Sequence, residues 1–337
     1  MHDVNGVRPR LVLVSTGGTI DALGSSRLDI AWYGESGRRL AIGELASRIP
    51  ELDRIADIEI IDFGSRVSHA LVMSDWLALA QLVNSLLERV EVDGVVVTHG
   101  TNTMEESAYF LQLVVTPPKP VVLVGAMRPA SSLSADGYLN LVRAVQVAAE
   151  PKAAGIGILV VLNDTIFAAR DVTKTMTSRV QSFQAPDSGP LGYADSDGRV
   201  IFYHYPLRRP LGEPSFHLDQ GVPLPRVDVV ISYVGADGVM IEAAAAAGAK
   251  GIVSAGTGAG HPTPAEDLAL DRVTAAGVVV CQGSRVNSGR VFRSPDLKAR
   301  GIVSADDLPP WKARVLLSLA LTQTSDPEIV QELFDRL

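Results

Sequence analysis

The stretch VVVTHGTNTMEES, residues 95–107, runs from an apolar strand through a polar turn into a charged helix start. Val95, Val96 and Val97 follow one another without polar alternation, the pattern of a strand buried on both faces. Thr103 is a small polar cap residue, and Glu105 and Glu106 fall in the first helical turn, where the dipole favours acids. A buried strand leading directly into a helix is the building unit of a parallel α/β sheet. The same kind of run recurs at RLVLVS (10–15), IEIIDF (58–63), PVVLVG (120–125) and GILVVL (157–162). Helical segments are expected at about 74–90, with Ser74-Asp75 as its start, and at 104–115 and 137–149. The fold class is therefore α/β with a mostly parallel sheet.

The Pro- and Gly-rich stretch YPLRRPLGEPSFHLDQGVPLPR (205–226) interrupts this pattern, and VDVVISYV, KGIVSAG and GVVVCQG resume it afterwards. Two domains follow, 1–204 and 227–337, with 205–226 as linker. The alanine-rich EAAAAAGAK (242–250) reads as a helix closed by a glycine. The 337 residues, 47 % hydrophobic, contain no apolar run near the roughly 20 residues a membrane helix needs, and the apolar stretch at the N-terminus is too short for a secretory signal. No membrane association and a cytoplasmic location are expected. A formal net charge of −8 gives no basic surplus for a phosphate backbone, so nucleic acid is not an expected partner. The single cysteine, Cys281 in VVVCQG, excludes an intrachain disulfide and reads as a buried strand residue.

Ligands of open α/β sheets sit beyond the carboxyl ends of the strands. The residues there are Thr16 in Ser15-Thr-Gly-Gly-Thr, then Gly64-Ser65-Arg66, His99-Gly100-Thr101-Asn102, Gly125-Ala126-Met127-Arg128 and, after the fifth run, Asp171-Val-Thr-Lys174. Hydroxyls beside an amine make a workable nucleophile and base if the lysine is partly desolvated. The chain has no G-x-S-x-G, H-E-x-x-H or P-loop motif, its histidines are too scattered for a metal cage, and GTGAG (256–260) lacks the third glycine of a dinucleotide turn. Neither a metal nor a cofactor is expected.

STGGTI (15–20), VVTHGTNTMEESAYFL (96–111), VVLVGAMRP (121–129), SADGYLNL (134–141), NDTIFAARDVTKT (163–175), GPLGY (189–193) and KARVLLSLALTQT (312–324), in this order, resemble the bacterial L-asparaginase/glutaminase family. The resemblance implies an asparaginase-like fold with a larger N-terminal and a smaller C-terminal α/β domain. It also implies a homotetramer of dimers, or a homodimer, with shared active sites. The implied chemistry is hydrolysis of a small-molecule side-chain amide through a threonine nucleophile and an acyl-enzyme, without metal or cofactor. Thr16 falls on the nucleophile, Tyr33 on the tyrosine that takes its proton, and Thr101 with Lys174 on the second hydroxyl and its lysine. Gly64, Ser65, Arg66, Gly100, Asn102, Ala126 and His261 fall on substrate-binding positions, with Ser65 at the α-carboxylate and the Ala126 carbonyl near the leaving amide.

The departures concern charge. The family pattern has aspartate at Asn102, glutamine at Arg66, asparagine at His261, and a glutamate in the segment SRVNSGRVFRSPDLKARG, which here has no acid before Asp296. A desolvated ammonium needs a carboxylate partner, and an amide supplies no compensating charge. Arg66 would repel an ammonium and offer a planar fork to a carboxylate. The substrate expected from these residues is a small carboxylate-bearing amide, or a related imide, ester or lactone, without a free α-ammonium. An ordinary L-asparaginase and a catalytically silent binding or amidotransferase-complex subunit are the alternatives. Loss of a negative charge beside Lys174 is also expected to lower its pKa.

Overall fold

The structure, a computed structural model, describes residues 8–115, 118–208, 214–218 and 223–337. The chain divides into two compact units, Met1–His217 and Leu218–Leu337. Of the 205–226 stretch read as a linker, residues 209–213 and 219–222 lie outside the described residues.

The first unit is built on strands β1 (Arg10–Ser15), β2 (Asp57–Asp62), β3 (Gly94–Thr98), β4 (Val121–Val124), β5 (Ile158–Leu162), β6 (Thr165–Ala168), β7 (Thr173–Lys174), β8 (Phe183–Gln184), β9 (Gly192–Ala194) and β10 (Val200–Phe202). Its helices are α1 (Ile42–Ser47), α2 (Met73–Glu88), α3 (Met104–Val114) and α4 (Gly137–Ala149). An eight-stranded sheet has the order β10-β9-β6-β5-β4-β3-β1-β2, with β7 and β8 as a separate pair. Strands β2, β1, β3, β4 and β5 run parallel. Every residue of β3, β4 and β5 is buried, as continuous apolar runs require when helices cover both faces. One face packs Leu11, Leu13, Val96, Val122 and Val161 against Leu141, Ala144 and Val145 of α4. Elsewhere in the unit Trp76 of α2 stacks on Phe110 of α3, ring centroids 5.1 Å apart.

Beyond β5 the sheet turns antiparallel, a part the apolar runs did not announce. Asn163 (φ 50°) and Asp164 (φ 61°) are consecutive left-handed residues, which reverse the chain tightly enough for β6 to fold back on β5. Helix α2 begins at Met73, and the Asp75 carboxylate accepts the Val72 N–H at 2.9 Å, so Asp75 rather than Ser74 caps it. Thr103 precedes α3 as expected, but its hydroxyl donates to Ser68 O (3.0 Å) instead of capping the helix.

The second unit has strands β11 (Val227–Ile231), β12 (Gly251–Gly256), β13 (Val279–Ser284) and β14 (Val303–Ser304) in sequential order, all parallel. Helices α5 (Val239–Ala246), α6 (Pro264–Ala275), α7 (Pro295–Ala299), α8 (Pro310–Ala320) and α9 (Pro327–Arg336) accompany them. Gly248, at φ 91°, ends the alanine-rich α5. Cys281 is buried in β13, and burial pushes its thiol well above its ordinary range, away from nucleophilic use.

In the first sheet Ser15 is in register with both Asp62 and Thr98, and Thr98 with Val124, so the residues after β1, β2, β3 and β4 emerge at one level. The chain steps from β1 to β2 on one side and from β3 to β4 on the other. The turns after β1 and β3 therefore diverge, leaving the crevice in which sheets of this kind bind ligands.

Candidate active site

Thr16 is the first residue past β1 and is buried. Its hydroxyl donates to Thr98 O at 2.8 Å, and its N–H donates to the same oxygen at 3.1 Å. Gly17 (φ 88°) and Gly18 (φ 122°) then hold a backbone that other residues enter only with strain. A Cβ on Gly17 would stand 2.8 Å from Ser65 Oγ, and one on Gly18 would stand 2.8 Å from Gly100 Cα. The two glycines thus let the β1 turn lie directly against the turns after β2 and β3. The Arg66 N–H donates to Thr16 O (3.1 Å), and Gly64, at φ 110°, is tied through its N–H to Asp62 (2.9 Å). Thr16, Gly64, Ser65, Arg66 and Gly100 are consequently brought together.

On the β3 side, Lys174 reaches in from β7. Its Nζ donates to Thr101 Oγ1 at 2.9 Å and to Asn102 Oδ1 at 3.3 Å. Burial pushes the Lys174 pKa below its ordinary value, opposed by the negative charge of Glu105. An adjacent anion is therefore not missing altogether, as the exchange at Asn102 suggested. Glu105, in the first turn of α3, accepts from Thr173 Oγ1 (2.6 Å) and Lys174 N (3.2 Å). The sequence marks Glu105 only as a helix-start acid. Its place under a lysine 69 positions away comes from the β7 strand folding over α3.

Several expected residues have partners that the sequence did not disclose. The Tyr33 hydroxyl lies 2.9 Å from Thr19 Oγ1, so among the described residues it meets the Thr16 turn three positions further on. Arg66 Nη1 donates to Asp75 Oδ1 at 2.6 Å, and this ion pair occupies the guanidinium expected to face a substrate carboxylate. Ala126 is buried in a turn that Asp136 fixes by accepting the N–H groups of Met127 and Arg128, both at 2.9 Å. His261 is exposed in the second unit, where its backbone pairs with Thr257. The pairing closes GTGAG on itself, a tight hairpin ahead of α6 and not the strand-to-helix turn of a dinucleotide site.

Two site residues escaped the sequence altogether. Asp21, 4 % exposed at its side chain, forms an ion pair with Arg39 and accepts from Ser65 Oγ at 3.3 Å. Arg39 Nη1 also donates to Gly18 O at 2.7 Å, fastening the β1 turn from behind. The available signal was an acid one residue beyond STGGTI. Among the described residues no group of three or more His, Cys, Asp and Glu side chains is arranged to hold a metal ion.

Two buried hydroxyls, Thr16 and Thr101, and an amine whose pKa burial lowers thus stand at the carboxyl ends of the first sheet's strands. Residues 10–208 match the model of the asparaginase N-terminal domain, and residues 226–334 match that of the glutaminase/asparaginase C-terminal domain. The chain belongs to the asparaginase family. Members of this family are amidohydrolases acting on non-peptide C–N bonds, and this chain is one of them. Over 332 residues it is 42 % identical to the probable periplasmic L-asparaginase of Haemophilus influenzae, covering 97 % of this chain and 93 % of that one. It is 38 % identical to the glutaminase-asparaginase of Pseudomonas fluorescens biotype A, covering 96 % and 89 %. The crystal structure of a probable cytoplasmic L-asparaginase from Campylobacter jejuni superposes with a TM-score of 0.93 at 40 % identity, covering 98 % of this chain and 100 % of that one. The asparaginase fold, a larger N-terminal unit and a smaller C-terminal unit each built on a largely parallel sheet, is the fold of this chain. Among the described residues no helix is long and apolar enough to cross a membrane.

Proposed function

We propose that this amidohydrolase uses Thr16 as its nucleophile and acts on a small carboxylate-bearing amide, or a related imide, ester or lactone, that lacks a free α-ammonium. Thr16 Oγ1 attacks the carbonyl carbon and gives up its proton, with Tyr33 the group assigned to take it. The C–N bond breaks as the nitrogen leaves protonated, giving an ester on Thr16. A water activated by Thr101 and Lys174 then attacks that ester, releases the acid and restores the hydroxyl. The observation that supports this most is Lys174 Nζ, half-buried, held between a hydroxyl at 2.9 Å and a neutral amide at 3.3 Å. Burial lowers the pKa of a lysine so placed. The same neutral amide offers an ammonium no countercharge.

A second reading, ordinary L-asparagine hydrolysis, is favoured by one observation: Asp21 places a carboxylate behind Ser65. Asparagine, glutamine, N-acetyl-asparagine, succinamate and succinimide, assayed for ammonia and acid release, separate the two. We expect N-acetyl-asparagine or succinamate to be preferred, and a strong preference for free asparagine overturns the first reading. We further propose that the protein works in the cytoplasm as a homotetramer or homodimer with shared sites, with 205–226 linking its domains. Sedimentation checks the assembly, and an active monomer at micromolar concentration contradicts it.

A further inference from the structure

The turn after β4 is gripped by the first turn of α4. Asp136 Oδ2 accepts the Met127 N–H and Oδ1 accepts the Arg128 N–H, both at 2.9 Å. Asn140 lies four residues on, where a helix returns to the same face, and is buried. Its NH2 group donates to Gly125 O at 3.0 Å and to Asp136 Oδ2 at 3.1 Å, and its Oδ1 accepts the Asn163 N–H after β5 at 2.9 Å. Among these fastened groups the Ala126 C=O is buried and has no donor among the described residues. A buried carbonyl without a partner is costly unless a ligand or water meets it. In a planar trans peptide the C=O and N–H point in opposite directions. The Met127 N–H points at Asp136, so the Ala126 C=O points away from it. Two glycines set this peptide in place. A Cβ on Gly125 would stand 2.6 Å from His99 O and 3.1 Å from Thr101 Cγ2, and one on Gly137 would stand 2.8 Å from Ile20 Cγ1 and 3.1 Å from Ala126 Cβ. Ala126 thus has Thr101 on one side and the residue after Thr19 on the other.

We propose that Asp136, seated by Asn140, is a positioning residue for the leaving group: it turns the Ala126 C=O toward the crevice, to accept an N–H from the nitrogen that departs. The carbonyl is the one expected near the leaving amide, and Asp136 and Asn140 aim it without touching the ligand. A carbonyl oxygen only accepts. The nitrogen of an amide or imide brings it a hydrogen, whereas the alkoxy oxygen of an ester or lactone brings lone pairs, and two acceptors face to face repel. Within the proposed substrate class the turn therefore favours the amide and the imide over the ester and the lactone. The inference rests on the proposed function in taking the crevice beside Thr16 and Thr101 as the substrate site, and it is indifferent to the group on the substrate's α-carbon.

Two substrate pairs test it on the intact protein: asparagine with aspartate β-methyl ester, and N-acetyl-asparagine with N-acetyl-aspartate β-methyl ester. Within each pair only the leaving group differs. Esters are intrinsically the more reactive, so the quantity read is the change in the amide-to-ester ratio of kcat/KM, followed as acid released. Asp136→Ala should lower that ratio about three- to tenfold, the range of one hydrogen bond. Asn140→Ala should lower it in the same direction but by less, because Asp136 still holds both N–H groups. Ratios do not depend on the fraction of folded protein, so a destabilised variant still reports, and if Asp136→Ala yields no folded protein Asn140→Ala decides alone. A role in packing only would weaken both leaving groups alike. An unchanged ratio therefore overturns the proposal, however far activity itself falls, as does hydrolysis of the esters alone by the unmodified protein. Which pair is turned over better is a separate result, and it judges the proposed function: the free pair ahead of the N-acetylated pair defeats that reading and leaves the role of Asp136 standing.

Discussion

Lys174 on the β3 side of the crevice and Asp21 on the β1 side are both removed from water, and burial acts on each against its charged form. Their surroundings differ. Asp21 touches a guanidinium, which opposes the effect of burial directly. The contacts of Lys174 Nζ are a hydroxyl and an amide, both neutral, and the charge that supports it, Glu105, touches the lysine's backbone N–H instead. At Asp21 burial still outweighs the guanidinium, and its pKa lies above the ordinary carboxylate value. At Lys174 burial outweighs the charge of Glu105, and its pKa lies below the ordinary value. Asn102, a neutral contact of Nζ, supplies no charge against that shift.

The largest expected effect is on chemistry. Thr16→Ala and Lys174→Met should each lower kcat by about 10³-fold or more, because nucleophile and base act as parts of one unit. Single-turnover assays on whichever amide is cleaved check this. If Lys174→Met retains near-normal rates, the contrast between the two charges has no part in catalysis.

His99 provides the limiting case of burial with no charged partner. It is fully buried after β3, and its pKa is pushed down to about 4 from 6.5 by loss of hydration, against a hydrogen bond to Gly100 O. Because a carbonyl only accepts, Nδ1 carries the proton in that bond. Between pH 6.5 and about 4 the unfolded chain binds a proton that the folded one refuses, so stability falls as pH falls through that window. The total contribution is on the order of 3 kcal/mol. Urea unfolding at stepped pH should show it, and His99→Asn should flatten the slope within that window.

The charge at Lys174 can be moved from either side. Asn102→Asp places an anion on the atom now 3.3 Å from Nζ, which raises the lysine's pKa, and Glu105→Gln removes the supporting charge, which lowers it. If neutral Lys174 is required, the acidic limb of kcat lies below 10.5 in the unmodified enzyme. It should move up by about one unit in the first variant and down in the second. Asn102→Asp should also raise kcat/KM for L-asparagine by about tenfold and depress it for N-acetyl-asparagine. A limb that stays fixed in both variants assigns it to another group.

These residues were unequally legible in the sequence. Thr16, Thr101 and Lys174 stand directly after buried strands or in quoted motifs, and the continuous valine runs left little choice about the strands that carry them. The partners could not be read. Asp21 and Arg39 are 18 positions apart in a segment without periodicity, and nothing local distinguishes their pairing from two solvated charges. Strands of two to four residues, such as β6 to β10, are too short to impose a pattern. Burial as the cause of the low Lys174 pKa needed the three-dimensional surroundings, since composition shows only the lost aspartate.

Arg66 illustrates the same gap and carries the smallest effect. Read from sequence, an arginine beside Ser65 repels an ammonium and offers a planar fork to a carboxylate. In the structure its guanidinium pairs with Asp75, itself the cap of α2, and 58 % of the Arg66 side chain is exposed. A pair so open to water and salt contributes about 0–1 kcal/mol. Asp75 also keeps its bond to the Val72 N–H when the arginine is gone. Arg66→Gln should therefore change stability by less than about 1 kcal/mol and kcat/KM for any substrate by less than about fivefold. Added to Asn102→Asp it should contribute nearly independently. A tenfold or larger change in the single variant, lost at 1 M salt, means that Arg66 leaves Asp75 for the substrate, and the preference for an acid without an α-ammonium then has a second, electrostatic source.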